Sequence, residues 1–448
     1  MFRIIVKLII LISITSNIIS CKHNDKSTSG KNQDKPVLFT FKTLDRSNNP
    51  LQDVVVQINN DTENTKITDA KGLVSFSNLN KNTKYDIHFF GPTGYEWHSI
   101  YNVKPDLVKT MELEKLTTQN SQTLPKSYIK LKGTLTNLSN NNFPTFTYFA
   151  NYDDSLSSIS FSSSNNDYTA KLSTDLPLGS KLVGDLWILR ESYDLATSTS
   201  YITDAVKYPN VSITTTSETG KATIQNIVLN TVKPVLQNLF TINSVLPPTG
   251  VAQDSLNVLN QSFRSNTTTK SKDVMLYSKS IPGNFPLDIN AYDPFKLDNY
   301  YLSLMASFSP AGNSEWFYIQ KVASGANVNI QSHFDNLPQI ASNQIGGTIR
   351  WNLTSGTDIS YQLIEITKFN ATNNLETKWN LTIDKNTSEL TLPSLPKSVT
   401  PILKQGSQYN IGLTVVASDF SLFTSKLGSI IETTFFENVT SNKVTWTR

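Results

Sequence analysis

The chain has 448 residues, with 39 basic and 36 acidic side chains and a net charge of +3; that is too long for one core and suits about three domains or more. Hydrophobic residues make up 38% and charged residues 17%, so polarity comes mainly from Ser, Thr and Asn, which with Gly and Pro between short apolar runs suit turn-rich β-structure. Aromatics at 10% exclude general disorder, and no basic domain emerges that would collect phosphates, which excludes nucleic acid as a partner.

Arg3 and Lys7 form a short positive region before an apolar run from Leu8 to Ile19, broken only by Ser13, Thr15, Ser16 and Asn17. At about 12 residues the run is too short to span a bilayer and matches the core of a signal peptide over 1–20. Ile18-Ile19-Ser20-Cys21 follows. It resembles the bacterial lipobox, although Ile stands in both places where that pattern prefers Leu and a small residue. The resemblance implies lipidation of Cys21, which becomes the first residue of the mature chain and holds it on a membrane through its acyl chains. Cys21 is also the sole cysteine, so an internal disulfide is excluded and a lipid-modified sulfur removes an otherwise odd free thiol. Residues 21–36 are polar after the Cys and lack apolar periodicity, as expected of a tether. Lys22, rather than Asp, after the Cys resembles the outer-membrane sorting signal of Gram-negative bacteria. The expected location is the cell envelope, lipid-anchored, at the outer membrane or cell surface.

Residues 37–116 read as short strands. Val37 to Lys42 and Val54 to Ile58 are β-branched and aromatic, and Asp45 to Leu51 forms a turn between them. Thr68-Asp69-Ala70-Lys71-Gly72 is a second turn, with Gly placed for a positive φ; Leu73 to Phe76 and Tyr85 to Phe89 follow. Pro50-Leu51 with Val54-Val55-Val56, the Thr68 to Gly72 turn, and Asn78-Leu79 leading to Tyr85 resemble the carboxypeptidase-regulatory-like and Cna-B-like modules. The resemblance implies a small prealbumin-type sandwich. Some Cna-B-like modules carry an internal Lys–Asn cross-link assisted by a buried acid. Lys42 could take the lysine place, but Phe89 stands where the acid belongs, so the cross-link is not expected.

Leu79 and Tyr85 are separated by a turn, and Leu403-Lys404-Gln405-Gly406-Ser407-Gln408-Tyr409 repeats the spacing before the alternating Ile411, Leu413 and Val415. With Trp351 and Tyr361 to Ile366 upstream, this stretch resembles a fibronectin type III module with its tyrosine corner. Leu79, Tyr85, Leu403, Gly406 and Tyr409 are the expected structural corners. Weaker echoes fall at Leu176 to Leu182 and at Phe295 to Tyr301. The echoes lie roughly 100 residues apart, the length of an immunoglobulin-sized sandwich. The expected fold class is all-β: tandem Ig-like and prealbumin-like β-sandwiches in a row over 37–116, 126–232, 233–345 and 346–448. The stretch Leu246 to Ser278, rich in Ser, Asn and Thr, is expected to be partly irregular.

No catalytic, metal or cofactor-binding residue is assigned. The four histidines form no H-E-x-x-H pair, and no second Cys is present; His88 reads as a strand residue and His98 as a loop residue. Ser127 to Lys130 and Ser394 to Lys397 satisfy S-x-x-K in stretches that lack the helix start the motif needs. Leu246-Pro247-Pro248-Thr249-Gly250 matches a sortase signal without the apolar segment that must follow, and reads as a turn. Asn151 to Asp154 and Ser164 to Asp167 gather oxygen ligands but read as solvated loops. Trp187 reads as core and Trp97 as an exposed ring. The function expected is that of a non-catalytic, lipid-anchored surface protein presenting sandwiches for adhesion or for protein and envelope contacts. A carbohydrate-binding lipoprotein is the first rival, and an enzyme with an unrecognised acid pair the second. The partners expected are a membrane, through the anchor, and a protein or glycan ligand.

Overall fold

The structure, a computed structural model, describes residues 37–447 except 46–48, 117–126, 137–145, 153–154, 162–166, 175, 229–234, 253–254, 266–270, 280–283, 295, 297, 308–314, 342–346, 371–374, 419–434 and 442. Cys21, the tether, Asp153, Asp154, Ser164 to Asn166 and Phe295 lie outside the described residues. Apart from a 3-10 turn at Pro105–Leu107, every described element is a strand.

The first group of strands comprises β1 (Val37–Leu44), β2 (Val55–Ile58), β3 (Thr65–Ile67), β4 (Leu73–Leu79), β5 (Tyr85–Phe90), β6 (Trp97–Val103) and β7 (Thr110–Glu112). β4–β1–β7 form one sheet and β3–β2–β5–β6 the facing layer. Alternation along β1 decides which side chains enter: Phe41 packs edge-on against Phe89, with centroids 6.0 Å apart, while Lys42 points to solvent. Phe89 is fully buried, so neither half of the family's cross-link chemistry is available at these positions. The Thr68 to Gly72 turn is held by the Asp69 carboxylate, which accepts from the N–H groups of Lys71 and Leu73 at 2.8 and 2.9 Å. Gly72 has φ +69°, and a Cβ there would lie 2.3 Å from the Thr43 carbonyl oxygen; only glycine satisfies both demands.

The second group is β8 (Ser127–Thr136), β9 (Phe146–Tyr152), β10 (Ser155–Phe161), β11 (Asp167–Thr174), β12 (Lys181–Asp194), β13 (Thr199–Thr214), β14 (Thr223–Ile224) and β15 (Ile227–Val228). Its core joins Ile129 and Leu131 of β8 to Leu186 and Ile188 of β12 and Val211 and Ile213 of β13. The third is β16 (Gln237–Leu246), β17 (Leu256–Ser265), β18 (Ser271–Lys279), β19 (Leu287–Ala291), β20 (Asn299–Ser307), β21 (Glu315–Ala323) and β22 (Asn327–Gln331). Within the stretch expected to be partly irregular, 247–252 lie outside the strands, while β17 and β18 pair in antiparallel register from Val258–Lys279 to Ser265–Ser271. The Ser and Asn residues of β17 and β18 sit in strands because the ladder satisfies their backbone, which composition alone does not reveal.

The fourth is β23 (Gln339–Ile340), β24 (Thr348–Asn352), β25 (Ile359–Phe369), β26 (Leu375–Asp384), β27 (Glu389–Thr391), β28 (Gln408–Ser418), β29 (Phe435–Thr440) and β30 (Val444–Thr447). β23–β24–β27 lie in one sheet, while β26–β25–β28 continue into β30 along the first part of β28 and into β29 along the second. Trp351, buried on β24, donates its indole N–H to Gln362 Oε1 at 2.8 Å and so pins the two layers.

The molecule is all-β, a set of β-sandwiches, and its larger layers are joined edge to edge. One hydrogen-bonded sheet runs β3–β2–β5–β6–β26–β25–β28–β29–β21–β20–β17–β18–β13–β12–β9–β10. The three-stranded sheets β4–β1–β7, β23–β24–β27 and β19–β16–β22 are separate from it. Neighbours in space are thus the first and fourth groups, the fourth and third, and the third and second. Joining layers this way removes the open edges that tandem sandwiches otherwise expose. One hydrophobic cluster accordingly passes from Trp97 through Trp379, Ile411 and Trp316 to Leu256.

Candidate functional site

Two seams of this sheet gather buried polar side chains from strands far apart in sequence. At the first, β6 pairs in parallel with β26, Trp379 opposite Trp97 and Thr382 opposite Ile100. Alternation sends Trp97 and Trp379 into the apolar interior, where their rings meet at 78° with centroids 5.3 Å apart. The indole of Trp379 donates to Ser99 Oγ at 3.0 Å, and that hydroxyl lies 2.9 Å from His88 Nδ1. Lys378 and Asn380, one residue either side of Trp379, emerge on the opposite face. There the Lys378 ammonium lies 2.8 Å from Glu96 Oε2 and 3.1 Å from Glu114 Oε2, and the Asn380 amide donates to Glu96 Oε2 at 2.9 Å. The side chains of Lys378 and Glu96 are only 9% and 8% exposed. Burial alone would push the Lys378 ammonium down, but Glu96, then Glu114 and Glu365, outweigh it and hold it above the ordinary lysine range.

Lys, Asn and Glu are the residue types of the cross-link that the resemblance raised for Lys42; here the two neighbouring carboxylates favour the ammonium form of Lys378 over the free amine a nucleophile needs. The arrangement is an ion-pair lock between strands far apart in sequence. His98 lies 3.0 Å from the Thr382 hydroxyl across the same seam. Burial, and then the charge of Lys378, push its imidazole down to about 4, and burial pushes that of His88 down to about 3. Both rings are therefore neutral at neutral pH.

At the second seam β29 is shared by β28 and β21. Glu437, in the middle of β29, is fully buried. Its Oε1 accepts from Trp316 Nε1 at 2.6 Å and from the Ser332 hydroxyl; its Oε2 accepts from the His333 backbone N–H at 2.8 Å and lies 2.8 Å from His333 Nδ1. The ring of Tyr318 stacks on His333 at 6.3 Å and 12°. Ser332, His333 and Glu437 carry the side-chain types of a hydrolytic triad, but Ser332 bonds to the carboxylate rather than to the imidazole. The serine-to-imidazole-to-acid relay of a triad is therefore not assembled among these three residues. The centre is a buried carboxyl group with donors on both oxygens, Trp316 and Ser332 on one and the His333 backbone N–H on the other.

The corner residues occupy matching places in the first and fourth groups. Tyr85, at the start of β5, accepts from the Asn80 N–H at 2.9 Å, and Leu79 is buried. Tyr409, at the start of β28, accepts from the Lys404 N–H at 2.6 Å and donates to the Ile402 carbonyl at 3.4 Å. Leu403 is buried, and Gly406 takes φ +76° in the intervening turn. Because the Tyr409 hydroxyl satisfies a backbone donor that the turn leaves unpaired, Tyr409→Phe is expected to cost about 0.5–1.5 kcal/mol. Urea unfolding of the full chain measures this; an unchanged midpoint would show the bond to be dispensable. Tyr301 is buried on β20, and Leu182 is half-buried on β12.

Two ring assignments and one loop change. Trp97 is 2% exposed rather than an open ring, because β6 starts there and its seam partner covers it. His98 is on β6, not in a loop, and since Phe89 faces His98 while Ser99 faces His88, the two imidazoles lie on opposite sides of the sheet. Trp187 is half-buried, with the Lys207 ammonium 5.4 Å from its ring centroid, while its strand neighbours Leu186 and Ile188 are fully buried. Ser127 donates to the Leu176 carbonyl and Lys130 to that of Glu218, so this S-x-x-K pair is not assembled. Sequence reasoning missed Lys378, Glu96, Glu114, Asn380 and Glu437, because pairs so distant in sequence leave no local motif. The one local signal is a charge inside a β-run: Lys378 in Thr377-Lys378-Trp379, and Glu437 in Phe435-Phe436-Glu437-Asn438-Val439.

Among the described residues no cluster of His, Cys, Asp and Glu could hold a metal ion, and no helix is long and apolar enough to cross a membrane. No family model and no curated protein matches the chain. Solved structures similar to it include the TIE protein of Bacillus anthracis, with 12% identity, a TM-score of 0.15, and 66% of this chain and 50% of that chain covered; this chain thus spans half of that protein's length. The FN1–FN3 domains of chicken CNTN1 show 8% identity and a TM-score of 0.16, with 69% and 90% covered. The major pilin subunit of Bacillus cereus shows 9% identity and a TM-score of 0.14, with 66% and 99% covered. At these scores the likenesses carry no weight of their own, and the all-β sandwich architecture rests on the strands described above.

Proposed function

We propose that this is a non-catalytic, lipid-anchored surface protein of the cell envelope that presents its sandwiches as one stiff platform for adhesion or for protein and envelope contacts. The observation that carries the reading is the uninterrupted sheet through all four groups, with a buried ion pair at one seam and a buried hydrogen-bond network at another. Tandem domains joined only by linkers move relative to one another; domains that share ladders and an apolar cluster hold a fixed geometry. The polar groups of the two centres are bonded to one another across the seams, which suits a scaffold better than a reaction.

The anchor belongs to the proposal through the lipobox-like Ile18 to Cys21 sequence. Cys21→Ser is expected to abolish lipidation and shift the protein from the detergent phase to the aqueous phase in Triton X-114 partitioning. A mutant that partitions like wild type would sink the lipoprotein reading.

A further inference from the structure

An open cleft of about 470 Å³ lies at the end of the fourth group where β25, β28 and β30 come together. That volume falls in the range of small-ligand sites. Thr367, Asn410 and Thr445 form one row across the three strands, Thr367 opposite Asn410 and Asn410 opposite Thr445, so the three side chains share one face. Two positions along their strands, Phe369 and Gln408 also line the cleft. Phe369 as a residue is 44% exposed. The Thr367 hydroxyl in the wall is buried and has no hydrogen-bond partner, a costly condition that a ligand group reaching it would relieve.

We infer that this cleft binds a neutral glycan, one sugar ring lying on Phe369 with its hydroxyls bonded by Gln408, Asn410 and Thr445. The chemistry of the lining decides the class. Amides and hydroxyls each donate and accept, which matches a ligand that does both at every position. An exposed aromatic face suits the C–H face of a pyranose. The sole charged group in the lining, Lys368, has the Glu376 carboxylate 3.7 Å away, so an acidic ligand meets no net positive field. A peptide would need a strand edge to add to, but the cleft centres on β28, whose backbone is laddered on both sides by β25 and β30.

The inference deepens the reading of the protein as a surface-presented binder and rests on it. The test uses the detergent-solubilised full chain on an array of oligosaccharides and polymers of glucose, galactose, mannose and xylose, with sialylated and uronic-acid glycans and apolar peptides alongside. Saturable binding of a neutral glycan is expected, weakened tenfold or more by Phe369→Ala and by Asn410→Ala and several-fold by the near-isosteric Thr367→Val. Leu353→Ala, an exposed apolar residue outside the lining, leaves binding unchanged, and thermal midpoints confirm that the variants fold. The inference falls if no neutral glycan binds, if binding survives both Phe369→Ala and Asn410→Ala, or if only acidic glycans or peptides are retained. Its failure leaves the anchoring result untouched, and a failed anchoring test leaves the array result standing.

Discussion

Replacing Glu437 with glutamine is expected to destabilise the protein by about 3–5 kcal/mol, the cost of breaking a buried charged network from one side. The substitution is nearly isosteric, so packing contributes little. What changes is the hydrogen-bonding inventory. The carboxylate has acceptors on both oxygens, and the groups around it donate: Trp316 Nε1 and the Ser332 hydroxyl to one oxygen, the His333 N–H to the other. Glutamine replaces one of those oxygens with an amide nitrogen that carries two donors and no acceptor. Either flip therefore sets N–H against N–H. Flipped one way it orphans the Trp316 indole, flipped the other way the His333 amide, and no water reaches a fully buried side chain to take up the difference. Ser332→Ala should cost less, about 1–2 kcal/mol, since the carboxyl group keeps its other donors and the change unpairs only the Phe334 N–H, which the hydroxyl accepts at 3.0 Å. Because β29 is shared between two groups, both should loosen together in Glu437→Gln, seen as an earlier urea transition by tryptophan fluorescence. A midpoint within about 0.5 kcal/mol of wild type would mean that this carboxylate does not hold the seam.

How far the sequence reveals these features depends on how local their causes are. Strands, turns and corners are local. The Thr68 to Gly72 turn needs its positive φ at a fixed offset from Asp69, and the Tyr409 corner needs Leu403, Gly406 and Tyr409 in one short stretch. Both are readable from spacing, and the hydrogen bonds at Asp69 and Tyr409 occupy those offsets. The seams are not local. Nothing near Trp97 announces a partner at Trp379, so an aromatic after Gly94-Tyr95-Glu96 reads as a loop tip and an open ring. Its burial comes from a strand that arrives from the far end of the chain. The strands β17 and β18 are equally hard to read, since their Ser and Asn residues are held by a cross-strand ladder rather than by their own propensity. The glycan cleft is non-local as well: Phe369 and Asn410 come from strands whose register is fixed only by the folded sheet.

The sharpest consequence of the first seam concerns Lys378. Lys378→Met keeps most of the aliphatic stem and removes the charge, which leaves the Glu96 and Glu114 carboxylates facing each other's field without a cation between them. Glu96 is as buried as the lysine, and its remaining partners are the Asn380 amide on Oε2 and the Glu114 backbone N–H on Oε1, 2.8 Å away; neutral donors compensate a buried carboxylate only in part. Breaking such a pair from one side costs about 3–5 kcal/mol, whereas removing both charges together costs far less. The loss should be local at first, because the seam is a single pair of parallel strands and β6 can part from β26 while β5 still holds it. Native-state hydrogen exchange reads this directly. Amides of Trp97 to Ile100 that bond across to β26 should exchange about a hundredfold faster or more, following the free energy of local opening, while those of β1 and β4 keep their protection. Lys378→Met combined with Glu96→Gln should recover much of the protection, and the double-mutant cycle gives the coupling energy. Unchanged exchange in β6 for Lys378→Met would show that the tryptophan pair and the backbone ladder hold the seam without the ion pair, and the stiff-platform reading would then rest on apolar packing alone.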